Sequence, residues 1–192
     1  MATSVILSVA QAPGLYSVAK TWVFRRGLRM TIGAATALTL SACDNAPSPG
    51  ELVLKHTLGT NVAALQVQTL EGAPQPLADL AGGTQPIVLN VWATWCTPCV
   101  AEMPTLAALG QSGRARVVAI ATDASATVVK DFLRRQAWGP GVEIWYDPRG
   151  TVTREALSAK ALPSSYVLNP SLTITYAVAG ERDWREWGTA AW

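Results

Sequence analysis

Cys96 and Cys99, with Thr97 and Pro98 between them, are the residues of this sequence best placed to do chemistry. Two thiols at that spacing can close into a disulfide and open again, passing electrons between sulfurs. The pair follows the apolar run Ile87–Trp92 and opens a stretch with helical character. A cysteine at the start of a helix faces unpaired backbone N–H groups and the positive end of the macrodipole, and both favour the thiolate. Cys96 is therefore the expected attacking sulfur. Cys99, one turn further in, is the expected resolving one. Pro98 suits the first helical turn, where its missing N–H costs little. Other uses of the pair fit less well. A structural disulfide does not need a strand-to-helix corner, and a zinc site needs four ligands, to which the chain adds only its single histidine, His56. A copper-delivery site has only Met103 nearby as a further ligand.

The elements that must hold this pair can be read on either side of it. Residues 62–70 carry apolar positions suited to a strand, Glu71-Gly72 signals a turn, and Leu77, Leu80 and Ala81 suggest a short helical turn. Ile87–Trp92 is nearly continuous in its apolar character, as a central strand covered on both faces requires. A helix is expected from Cys96 or Thr97 to about Gly110, then a second buried strand over Arg116–Ala121. Val128, Val129, Phe132 and Leu133 have helical spacing within residues 126–136, and residues 142–146 read as another strand. Residues 165–168 and 172–178 are two strands joined by the hairpin signal Asn169-Pro170-Ser171, and a last short helix is expected over residues 183–192. This order predicts an α/β sandwich of mixed strand direction.

The chain has 192 residues, 49% hydrophobic and 15% charged, enough for one domain and a short appendage. Its net charge is +2, with Arg25, Arg26 and Arg29 grouped near the start. No basic stripe interleaved with aromatics appears, so nucleic-acid binding has no support. The eight tryptophans are scattered, as core filling and groove lining would have them. Positive residues, an apolar run from Thr31 to Leu40 and small residues follow one another in the order of an export signal. That run is shorter than the roughly 20 residues of a spanning helix. It ends Leu40-Ser41-Ala42-Cys43, which resembles a bacterial lipobox, with Cys43 the lipidated residue. The expected organisation is a leader over residues 1–43, a Pro- and Gly-rich linker over 44–51, and one domain over 52–192.

The segment from Asn90 to Pro104, Asn-Val-Trp-Ala-Thr-Trp-Cys-Thr-Pro-Cys-Val-Ala-Glu-Met-Pro, resembles the exported TlpA/ResA-like branch of the thioredoxin superfamily. The likeness extends over residues 67–184, taking in Thr122-Asp123, Tyr146-Asp147-Pro148-Arg149-Gly150 and Ala179-Gly180-Glu181-Arg182-Asp183-Trp184. The resemblance implies a thioredoxin-like α/β fold, a central mixed β-sheet flanked by helices with an N-terminal β extension. Pro163 matches the family's cis-proline beside the disulfide, so that Leu162 and Pro163, with Trp95 and Pro98, would meet the substrate. Glu102 matches the branch's acidic residue one turn beyond the second cysteine, implying a partly buried carboxylate that shuttles the proton of Cys99. Pro104 matches a helix-kinking proline. Asn90 departs from the pattern of cytoplasmic thioredoxins, which carry a buried aspartate there.

Together with the lipobox, the resemblance implies a monomeric reductase that needs no cofactor, lipid-anchored on the periplasmic side of the inner membrane, with a soluble periplasmic protein as the alternative. Its partners would be disulfide-bearing proteins, among them apocytochrome c or copper-centre assembly factors, and a membrane thiol donor that re-reduces it. Two rival expectations stay open: an oxidant that forms disulfides, and a non-catalytic copper chaperone of the same fold. Exported thiol oxidants often carry a histidine between the cysteines, and Thr97-Pro98 has none.

Overall fold

The computed structural model describes residues 52–187. The expected leader, Cys43 and the linker lie outside the described residues. Strand β4 (Ile87–Trp92) is buried along its whole length, as its apolar run predicts. Its alternation divides the core in two. Ile87, Leu89 and Val91 point into one apolar cluster with Leu77, Leu80, Tyr166 and Ile174. Val88 and Trp92 point into the other, where Cys96 lies with Cys99, Met103, Leu106 and Leu109 of helix α1 (Thr97–Gln111). Asn90 shares the parity of Val88 and Trp92, so this polar side chain faces the helix.

β4 pairs in parallel with β5 (Arg116–Ala121) and antiparallel with β7 (Ser164–Leu168). With β1 (Leu52–Val53), β2 (Gln66–Gln68), β3 (Pro74–Pro76), β6 (Glu143–Tyr146) and β8 (Ile174–Ala179), they form one sheet in the order β1-β8-β7-β4-β5-β6-β2-β3. Both strand directions occur, as expected. The N-terminal β extension is divided between the two edges: β1 pairs with β8, whereas the β2–β3 hairpin sits beyond β6.

Several boundaries differ from expectation, each for a local reason. The strand expected over 62–70 shrinks to β2, because Leu65 N–H donates to the Val62 carbonyl and turns the chain there. Val62 is buried in that turn rather than in a strand. Helix α2 (Ala126–Leu133) ends before 136, where the apolar spacing gives way to Arg134, Arg135 and Gln136. Beyond it, Trp138 returns to pack edge-on against Trp92 at 5.8 Å between ring centroids. β8 starts at Ile174 rather than Leu172. Leu172 takes a φ of 61°, and Asn169 Oδ1 accepts both Ser171 N–H and Thr173 N–H at 3.0 Å within the turn. Of the last helix expected over 183–192, the described residues show a 3-10 turn over Trp184–Glu186 with Trp187 stacked on Trp184, and residues 188–192 lie outside the described residues.

Gly110 lies inside α1, so it does not stop the helix. A Cβ there would come within 1.8 Å of the Gly141 carbonyl oxygen, so the residue is small because the loop before β6 presses on the helix. The stop falls at Gln111, followed by Gly113 at φ 71°. Pro104 sits within α1 on its exposed side.

Candidate active site

α1 begins where β4 leaves the sheet, and the corner between them is pinned from β5. Thr94 donates its backbone N–H to Asp123 Oδ2 at 3.1 Å and its hydroxyl to Asp123 Oδ1 at 2.6 Å. Thr122 Oγ1 donates to the Trp92 carbonyl at 3.1 Å, and Tyr146 Oη donates to the Asp123 carbonyl at 3.0 Å. The corner closes when Cys96 N–H donates to the Ala93 carbonyl at 3.1 Å. Cys96 is the N-cap of α1. Its Sγ accepts the Cys99 N–H at 3.3 Å, so the sulfur occupies the place of a capping oxygen and faces the positive end of the helix.

Cys96 and Cys99 are joined in a disulfide. Both are buried, Cys99 at 0% exposed and Cys96 at 5%, so Cys96 is the more accessible of the two. Beside it, Trp95 stands 71% exposed, and Thr97 and Pro98 are exposed as well. The Leu162–Pro163 bond is cis. β7 follows directly, and Ser164 pairs with Val91 near the end of β4 that leads into the cysteines. Leu162 packs against the apolar cluster that contains both cysteines. Trp95, Leu162 and the disulfide thus share one end of the sheet.

Glu102 is 1% exposed, more deeply placed than the partly buried carboxylate expected from the resemblance. It lies three residues beyond Cys99 on the same inward face of α1, a spacing that makes helix neighbours. Its oxygens are held by three donors. Asn90 Nδ2 donates to Oε1 at 2.6 Å, while Arg182 N–H at 3.0 Å and Trp184 Nε1 at 3.4 Å donate to Oε2. Asn90 Nδ2 also donates to Ser165 Oγ at 2.9 Å. Burial outweighs these donors and pushes the Glu102 carboxyl up to about 7, with the charge of Glu181 adding to the rise. A carboxyl poised there can take and return a proton near neutral pH.

The same shift makes Glu102 a pH-dependent cost to folding. The folded state holds the proton from the ordinary value of 4.5 up to about 7, where the unfolded chain has lost it. Stability is therefore highest below that window and falls as pH rises through it, by roughly 3 kcal/mol in all. Glu102→Gln removes the titration. A glutamine is accommodated if the Asn90 amide turns over, offering its Nε2 the Asn90 Oδ1 that has no hydrogen-bond partner among the described residues. Denaturation midpoints of the oxidised protein at about pH 5 and pH 8 should show wild type losing stability with rising pH and Glu102→Gln holding level. Parallel pH dependence in the two proteins would contradict the assignment.

Of the residues expected from sequence, Cys96, Cys99 and Glu102 lie along one face of α1, with Trp95, Pro98, Leu162 and Pro163 at the same end of the fold. Cys43 lies outside the described residues. Sequence reasoning gave no role to Asp123, Asn90, Ser165, Arg182 or Trp184. Asn90, Asp123, Arg182 and Trp184 fall in segments that resemble the family, which is the available signal. Among the described residues, no helix is long and apolar enough to cross a membrane.

Residues 58–177 match the model of the AhpC/TSA family. The thiol-disulfide oxidoreductase ResA of Bacillus cereus is 28% identical over 131 residues, 67% of this chain and 73% of that protein. The thiol:disulfide interchange protein DsbE of Pasteurella multocida is 28% identical over 148 residues, 70% of this chain and 80% of its own. The crystal structure of StoA from Bacillus subtilis superposes with a TM-score of 0.54 at 21% identity, covering 67% of this chain and 96% of that one.

Proposed function

Because this chain belongs to the AhpC/TSA family and is a thiol–disulfide oxidoreductase of the TlpA/ResA-like kind, we propose that it reduces disulfides of cell-envelope proteins through Cys96 and Cys99. The observation that carries this is the asymmetry of the pair. Cys96, 5% exposed, caps a helix next to the exposed Trp95, whereas Cys99, 0% exposed, lies three residues from a carboxyl that burial pushes up to about 7.

The steps follow from that asymmetry. The Cys96 thiolate attacks one sulfur of the substrate disulfide, forming a mixed disulfide and releasing the other substrate sulfur as a thiolate. Cys99 passes its proton to Glu102 and attacks Cys96 Sγ. The second substrate sulfur then leaves and is protonated. Two electrons have moved: the substrate holds two thiols and the protein a Cys96–Cys99 disulfide. Leu162 and Pro163, with the exposed Trp95 and Pro98, flank the approach to Cys96 and bind the substrate's extended segment.

A leader over residues 1–43 exports the chain, and a lipid on Cys43 anchors it to the outer face of the inner membrane. The linker over 44–51 then lets a monomeric domain reach its partners. A membrane thiol donor restores the dithiol. Apocytochrome c and copper-centre assembly factors are the substrates this placement favours.

The reducing direction rests on the residues between the cysteines. Thr97 and Pro98 supply no cation to hold the Cys96 thiolate, so the reduced form lacks the extra stabilisation that makes a strong oxidant. Equilibration with a glutathione or dithiothreitol couple should give a potential closer to the roughly −270 mV of thioredoxin than to the roughly −120 mV of a strong oxidant. A value near −120 mV would reverse the direction and favour disulfide formation.

A further inference from the structure

A cavity of about 260 Å³ opens against Trp95, the residue before Cys96, and Leu162, and its remaining lining carries charge of one sign only. Arg154 and Lys160 line it, and no carboxylate does. Glu155, next to Arg154, is exposed but does not line the cavity, and the buried Asp123 and Asp147 are engaged elsewhere. Asp147 Oδ2 accepts from Val152 N–H, Thr153 N–H and Thr153 Oγ1, whereas Asp123 holds Thr94. Asp147 thereby fixes the turn whose Thr153 forms the cavity wall.

Arg154 is placed, not merely exposed. Its Nη2 donates to the Arg149 carbonyl at 2.9 Å, and its guanidinium lies over Gly150, where a Cβ would come within 2.2 Å of Arg154 Nε. Gly150 has a φ of 70°, which favours glycine in this tight turn, and its missing side chain leaves room for the guanidinium. A planar cation held this way has donors arranged to receive a carboxylate. Lys160 adds a second charge at the same rim.

We propose that this cavity is a subsite for acidic side chains next to the substrate's cysteine, with Arg154 and Lys160 as their counter-charges. The occupant is an acidic peptide segment, and charge complementarity selects it. The inference rests on the reductase reading, since Trp95 and Leu162 join the cavity to the approach to Cys96. Both cations are exposed, so the pairing acts mainly on encounter rate and is sensitive to salt.

Single turnovers of the pre-reduced protein test it with three substrates: a disulfide-linked peptide with Asp and Glu flanking its cysteine, its Lys and Arg counterpart, and neutral hydroxyethyl disulfide. Each is reduced to two thiols while the protein forms the Cys96–Cys99 disulfide, so both electrons come from the protein's own dithiol. The acidic peptide should react about tenfold faster than the basic one at low salt, and the gap should close at about 0.5 M salt. The double variant Arg154→Glu/Lys160→Glu should invert the order, and Arg154→Gln/Lys160→Gln should abolish it. Both should keep the hydroxyethyl disulfide rate within about twofold of wild type, since a neutral substrate is not steered. Equal rates on the two peptides, or a preference that survives in the Gln pair, overturn the subsite while leaving the reductase intact. Failure to reduce even hydroxyethyl disulfide overturns the reductase reading and the subsite with it.

Discussion

Cys96→Ser is expected to lower disulfide reduction by about a thousandfold or more, as loss of an attacking nucleophile does. A serine hydroxyl does not ionise near neutral pH and forms no mixed disulfide. The substitution should nevertheless leave the fold in place. Position 96 is the N-cap of α1, and serine is among the best residues there, its oxygen accepting the Cys99 N–H that Cys96 Sγ now accepts. Activity thus falls without loss of the helix that frames the site. The remaining thiol cannot take over, because Cys99 is 0% exposed. The initial rate of insulin or peptide disulfide reduction, with far-ultraviolet circular dichroism alongside, makes the check. A variant that keeps a tenth or so of wild-type activity would mean that Cys99 attacks and the two roles are exchanged.

Cys99→Ser has the opposite signature. The attacking sulfur is intact, so the first exchange proceeds and the substrate becomes bound to Cys96. Release requires a second sulfur to attack from inside the fold, and serine supplies none. Turnover should fall as steeply as in Cys96→Ser, but covalent adducts should accumulate, visible as bands on non-reducing gels that dithiothreitol removes. In the cell envelope these adducts would contain the natural partners. Their absence, with the variant folded, would contradict the order of events proposed for the pair.

The legible part of this molecule was its centre. β4, β5 and α1 are long, continuous and dictated by burial, so their ends came out within a residue or two. Turns that bury apolar residues carry the same apolar spacing as strands: Val62 looks like a strand residue but fills the core from a turn. Spacing could not show that Gly110 makes room for a loop some thirty residues away. At the site, the two cysteines declared themselves by type and spacing. Their supports did not, because each depends on a contact set by strand register. Asp123 reaches Thr94 only since β4 and β5 run in parallel side by side, and Trp184 reaches Glu102 across 82 positions of sequence. Asn90 read as a missing aspartate. In the structure it is a donor that holds the carboxylate, doing by hydrogen bonding part of what position 90 contributes to this buried network.

The proposed activity requires that the sulfur of Cys96 ionise readily at the tip of α1 while that of Cys99 stays protonated and out of reach. Alkylation of the reduced protein by iodoacetamide, followed by peptide mass mapping as a function of pH, measures this directly. The expected result is modification at Cys96 alone near pH 7, at least about tenfold faster than for a free thiol, which ionises only around 8.5. Reaction of Cys96 no faster than a free thiol, or modification of Cys99 first, would contradict the account.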